Sequence, residues 1–145
     1  MRGQEHKDTL TSINNMCALL LKQSKHQEVI DLLAPSEPAA RQTFTDGNAR
    51  HLSWFLTNLG RARAGLGNDA EQLKRAESNF LEAHPIYLQS LGPTQKDTLD
   101  CVQAIVDLYT AWDKAEPGKG YDAKAAEWQA KLPSDKPAES SKATP

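Results

Sequence analysis

An all-α fold is predicted by two observations. Apolar residues recur three and four residues apart through nearly the whole chain, and the apolar–polar alternation of a half-buried strand is nearly absent. Glycine- and proline-bearing turns punctuate these stretches, and the tetrapeptide Lys-Asp-Thr-Leu occurs at both Lys7–Leu10 and Lys96–Leu99. Six helices paired into three antiparallel hairpins, stacked as a solenoid and followed by a disordered tail, satisfy both observations.

In "DTLTSINNMCALLLKQ", Leu10, Ile13, Cys17 and Leu20 follow steps of three, four and three, with Met16 beside them. They predict a first helix from about Thr9 to Lys22, capped by Asp8 or Thr9. The second starts after Ser24 and buries Val29, Ile30 and Leu33. Pro35 and Pro38 should break or kink it near Ala34, since proline lacks the amide donor and clashes one turn back. A short piece then runs over Ala39–Phe44, with Ser36 as its cap.

After the turn Thr45–Asn48, "ARHLSWFLTNLGRARAGLG" gives a third helix, closed by Gly65 and Gly67. Its apolar stripe is Leu52, Phe55, Leu56, Leu59, Ala62 and Leu66. The fourth buries Leu73, Ala76, Phe80, Ala83 and Tyr87, with a bend expected at Pro85. The fifth, entered at the second Lys-Asp-Thr-Leu with Asp97 as cap, buries Leu99, Val102, Ile105, Val106, Tyr109 and Trp112. The turn "AEPGKG" leads to a sixth, "YDAKAAEWQAKL". Pro133–Pro145 has no large apolar residue, so burial cannot offset the entropy of ordering it, and it is expected to be disordered.

A shift of 43 residues carries Met16 to Leu59, and a further 46 carries Leu59 to Ile105. Such spacings fit a hairpin plus its linker, a unit that must stack on neighbours to bury its apolar face. The repeat domain is expected to span residues 3–132.

Length and composition bound the function. The chain has 145 residues, 39% hydrophobic and 25% charged, which suits one soluble domain with a core. A net charge of −2 gives no basic excess for nucleic acid or an anionic membrane surface. No apolar run approaches membrane-spanning length, and no secretory leader is expected. Cys17 and Cys101 form no Cys-x-x-Cys pair and suit a reducing compartment, so cytoplasmic location is expected. No histidine has a second ligand at helical spacing, so no metal is expected.

"NLGRARAGLG" followed by "RAESNFLEA" resembles a tetratricopeptide repeat, through Leu59, Gly60, Gly67, Ala76, Phe80 and Ala83. The stretch from Gly3 to Val29 resembles the longer kinesin-light-chain-like variety, through His6, Asp8, Thr9, Leu10 and Asn14. "IVDLYTAWDK" and "KAAEWQAKLP" are similar to C-terminal repeats of bacterial serine/threonine protein kinases. The resemblance implies a right-handed solenoid and a protein-binding scaffold whose first helices line a concave groove. Ser24 and Asp113 depart from it, standing where glycine is expected after a helix. Because "GQEH" reads as a linker that follows an earlier repeat, the chain is expected to be the C-terminal fragment of a longer repeat protein or kinase. No kinase motif is present in it.

The candidate partner-binding residues are Asn14, Asn15, Trp54, Asn58, Arg61 and Gln103, at groove positions of the first helices. His51, Trp54, Asn58 and Arg61 make one polar–aromatic stripe on the third helix. An amide can bond both donor and acceptor of an extended peptide backbone, Arg61 can fork onto a carboxylate, and Trp54 offers flat apolar area. Each has a plainer reading. Trp54 would pack between repeats, Asn14 and Asn15 would bond neighbouring helices, and Arg61 and Arg63 would be solvated charges. Cys17 and Cys101 are expected to be buried thiols. His6 and His84 are placed at helix ends, and His26 on the surface.

No pairing of nucleophile with base and no ligand cluster stands out, so no enzyme and no cofactor are expected. The expected function is a non-catalytic scaffold binding a peptide or helix of a partner protein. The alternative is a dimerisation or spacer segment. It would pack through the open face of the first helix, with Leu10 and Leu19 as its contacts, against a second copy or further repeats.

Overall fold

The computed structural model describes residues 2–66 and 69–133, and among these the fold is all-α. Its helices are α1 (Arg2–Lys22), α2 (His26–Leu33), α3 (Glu37–Thr43), α4 (Ala49–Leu66), α5 (Ala70–Leu91), α6 (Lys96–Ala115) and α7 (Tyr121–Gln129). Residues 134–145 of the expected disordered tail, and Gly67 of the expected helix stop, lie outside the described residues.

Helix α1 begins seven residues earlier than the pattern predicts. No proline interrupts Arg2–Lys7, so backbone bonding continues through it. The first Lys-Asp-Thr-Leu therefore lies inside α1, and Asp8 and Thr9 are not caps. At the other end Ser24 takes a left-handed backbone, φ 60°, while the Lys25 amide donates back to the Leu20 carbonyl at 3.0 Å. That is the closing geometry glycine usually supplies, here adopted by serine. Ser24 thus ends α1 and does not cap α2.

The proline-bearing stretch bends without stopping. A 3₁₀ turn, Ala34–Ser36, joins α2 to α3, and Pro38 falls in the first turn of α3, where its missing amide costs nothing. The Ser36 hydroxyl donates to the Leu32 carbonyl and makes no cap. Helix α5 runs through Pro85 unbroken, capped by Asp69, whose carboxylate accepts from the Glu71 amide. Helix α6 does start at Lys96, but its cap is Gln95, which accepts from the Asp97 amide at 2.9 Å. Asp97 is thereby free for another partner.

Paired residues fix the packing. Thr57 meets Tyr87, Gly60 meets Phe80 and Arg63 meets Asn79, so α5 runs antiparallel to α4. Phe80 with Cys101 and Glu77 with Tyr109 set α6 antiparallel to α5. Asn14 with Asn58 and Trp54 with Asp97 set α1, α4 and α6 side by side, and α6 runs parallel to α4 because both are antiparallel to α5. Arg41 ties α3 to α5 with a two-pronged bond to Glu82, at 2.6 and 2.8 Å. Helix α7 packs on α6, with Tyr121 stacked on Trp112 at 4.3 Å between centroids.

The core is a single cluster. It takes in Leu10, Cys17, Val29 and Leu33 from the first hairpin, Phe55, Leu56, Leu59 and Phe80 from the second, and Ile105, Tyr109 and Trp112 from the third. Met16, which lies beside the apolar stripe of α1, is 49% exposed. Leu10 is buried, as its place in the apolar stripe predicts, and is not available as a contact for the dimerisation alternative. His84 is not at a helix end but buried within α5, edge-on to Trp128 at 4.9 Å.

Glycine lets α4 and α5 approach closely. A Cβ on Gly60 would lie 2.6 Å from the Phe80 ring, which is itself fully enclosed. A Cβ on Gly65 would lie 2.4 Å from the His26 ring, whose Nδ1 is buried although the residue as a whole is half-buried at the start of α2. Alanine in a helix is intrinsically favoured over glycine by about 1 kcal/mol, and overpacking costs about 1–3 kcal/mol. Gly60→Ala, against an enclosed ring, should therefore lower stability in urea denaturation by up to about 2 kcal/mol, and Gly65→Ala, against a half-buried one, by less. Equal effects would show that α4 does not rest on Phe80 as described.

Candidate functional site

Helices α1, α4 and α6 leave a trough along their shared side. Its first part, a cavity of about 330 Å³, is lined by Asn14, Asn15, Trp54, Asn58 and Arg61, together with Thr57, Tyr87, Asp97 and Asp100. Five of the six residues singled out from sequence thus meet in one place. Gln103 lines a second cavity, of about 450 Å³, between α4 and α6. Arg61 and Asp100 border both cavities, so the two are continuous. The second has an apolar floor of Ala64, Ala104, Phe80 and Leu108.

A buried amide pair joins α1 to α4. Asn58 Nδ2 donates to Asn14 Oδ1 at 2.7 Å, and the two side chains are 9% and 8% exposed. The helix-bridging reading of Asn14 therefore holds. The pair is also incomplete. Asn58 Oδ1 and Asn14 Nδ2 have no partner among the described residues, and both side chains line the cavity. One acceptor and one donor remain there, the complement of a peptide unit.

Trp54 is half-buried, and its indole Nε1 donates to Asp97 Oδ2 at 3.0 Å. Its ring leans on His51, with centroids 5.1 Å apart, and the Arg50 guanidinium lies 5.7 Å from its centre. Burial, with the Lys7 and Arg50 charges, holds the His51 imidazole below its usual pKa and favours the neutral ring. Beneath them the Thr57 hydroxyl donates to the Ser53 carbonyl at 2.7 Å. The Tyr87 hydroxyl, 3.0 Å from Thr57 Oγ1, is then the donor of that pair. Trp54 thus packs between hairpins while still bordering the trough.

Carboxylates predominate among the charged side chains of the trough. Asp97, Asp100 and Asp107 border the trough with Arg61 as the cation among them. Asp100 meets Lys96 at 2.8 Å in an exposed pair, and Gln103 donates to Asp107 at 3.0 Å. Arg61 is exposed and has no bonded partner among the described residues. The sum is acidic. Arg63, by contrast, is not solvated: it is buried and donates to Asn79 Oδ1 at 2.9 Å.

Asp97 and Tyr87 were not among the sequence candidates. Asp97 carried a signal only as a helix cap, because the 46-residue shift between the second and third hairpins takes Trp54 to Asp100. Tyr87 gave no such signal, because its apolar body marks it as core. Cys17 and Cys101 are buried, as expected. Burial pushes their thiols up to about 11 and about 12, so neither is a ready nucleophile. Among the described residues no group of three or more His, Cys, Asp or Glu is placed to hold a metal ion.

Removing either amide of the pair strands the other. Asn14→Ala and Asn58→Ala should each cost about 1–3 kcal/mol in urea denaturation. The double variant should cost less than their sum by about 1 kcal/mol. Strict additivity would mean that the two amides do not hold α1 to α4.

No family model, no curated protein and no solved structure matches this chain.

Proposed function

We propose that this chain is a non-catalytic interaction scaffold of tetratricopeptide-like hairpins, holding an extended segment of a partner protein in the trough between α1, α4 and α6. The observation that carries this reading is the donor and acceptor that the Asn14–Asn58 pair leaves facing the cavity beside Trp54. A rigid amide pair meets a peptide backbone without losing side-chain freedom on binding. The apolar floor beyond Arg61 then takes a side chain of the ligand, and the surrounding carboxylates favour a ligand carrying lysine or arginine. The two free cysteines suit a reducing setting such as the cytoplasm. No helix among the described residues is long and apolar enough to cross a membrane.

Selection of a random peptide display library on the purified chain tests the reading. Recovered peptides should be enriched in lysine and arginine. Their affinity, read by fluorescence anisotropy, should fall at least about tenfold with Asp100→Lys, about 1.4 kcal/mol. It should also weaken as salt is raised. Peptides whose affinity is unchanged by both Asp100→Lys and Asn15→Ala would place binding elsewhere.

A further inference from the structure

The face of α1 at Ser12, Asn15, Met16 and Leu19 has counterparts one period on. The 43-residue shift carries it to Phe55, Asn58, Leu59 and Ala62, and the next 46 to Cys101, Ala104, Ile105 and Leu108. In α4 all four are buried, and in α6 all but half-buried Ala104 are. They are covered by the preceding hairpin, α1 and α2 over α4, then α4 and α5 over α6. In α1 the same face is open. Met16 is 49% and Leu19 57% exposed, with Leu32 of α2 also exposed at 37%. An interior-type face therefore meets solvent at one end of the array only.

From this we propose that α1 docks against α1 of a second copy in an antiparallel, two-fold arrangement. Charge selects the occupant and its direction. Asp8, Ser12, Asn15, Leu19 and Lys22 follow steps of four, three, four and three, forming one seam along the helix. A two-fold axis beside Asn15 sets Asp8 of each copy opposite Lys22 of the other, whereas parallel pairing sets like charges together. The same axis brings the two Asn15 amides within reach of one another, and flanks them with Met16 and Leu19. Head-to-tail stacking does not fit. The far end of the array presents Asp122, Glu127 and Gln129 on α7, all exposed. Laying these on Met16 and Leu19 would desolvate charges without partners. A face that closes on itself also gives a finite dimer, where head-to-tail contact gives filaments.

Sedimentation equilibrium of the full chain, from low micromolar to near-millimolar concentration, tests this. A reversible dimer is expected. Leu19→Glu should weaken it at least about tenfold, about 1.4 kcal/mol. Because Leu19 is exposed, the helical circular dichroism should not change. Asp8→Lys should weaken dimerisation, and adding Lys22→Asp should restore it, which parallel pairing or a nonspecific apolar contact would not do. A chain that stays monomeric throughout overturns the proposal and leaves α1 to a different polypeptide. A dimer indifferent to Leu19→Glu overturns it as well. Asp8, Leu19 and Lys22 do not line the trough, so their variants test dimerisation apart from peptide binding, although Asn15 borders both surfaces.

Discussion

The approach of α4 to α5 across Gly60 is the constraint on which the rest depends. Without a side chain at residue 60, the Phe80 ring lies directly against the α4 backbone. That contact sets the separation at which Thr57 reaches Tyr87 and Arg63 reaches Asn79. Helix α4 is then enclosed on nearly every side, by α5 through Phe80, by α1 and α2 through Asn58 and the His26 ring, and by α6 through Trp54. The exposed residues Arg50, Arg61 and Gly65, with half-buried Trp54, make the strip that opens outward. The trough is the space left over when a helix is packed all round except there.

This explains why polar groups recur in so buried a helix. Ser53, Thr57, Asn58 and Arg63 are all enclosed, and each has a bonded partner: Ser53 the Arg50 carbonyl, Thr57 both Ser53 and Tyr87, Asn58 the Asn14 amide, Arg63 the Asn79 amide. Buried polar groups without partners would cost more than the packing returns. Only the Asn14–Asn58 pair leaves capacity on the trough side, which is why it, and not the more exposed Gln103, is the centre of the candidate site.

The helices were legible because their apolar stripes repeat at helical spacing and their turns are marked by glycine and proline. The ends were less so. The Lys-Asp-Thr-Leu echo marks the start of α6 but lies inside α1, because a helix ends where its hydrogen bonding is interrupted and nothing interrupts Arg2–Lys7. Capping went to Gln95 because Asp97 answers to the Trp54 indole, a long-range contact that local pattern does not show. Site residues emerged from the groove that the repeat resemblance implies, with the 43-residue shift lining up its positions on α1 and α4. The sign of the trough did not, since Asp97, Asp100 and Asp107 converge with Arg61 only once α6 is laid beside α4.

Amide hydrogen exchange, read residue by residue, tests the central place of α4 most directly. Amides of Phe55–Ala62 should exchange slowest, together with those of Phe80–Ala83 in α5, at the rate of global unfolding. Amides of α7 should exchange faster through local opening, since none of its residues is fully buried. Exchange in α4 as fast as in α7 would contradict the account, because no helix so enclosed could open before its neighbours.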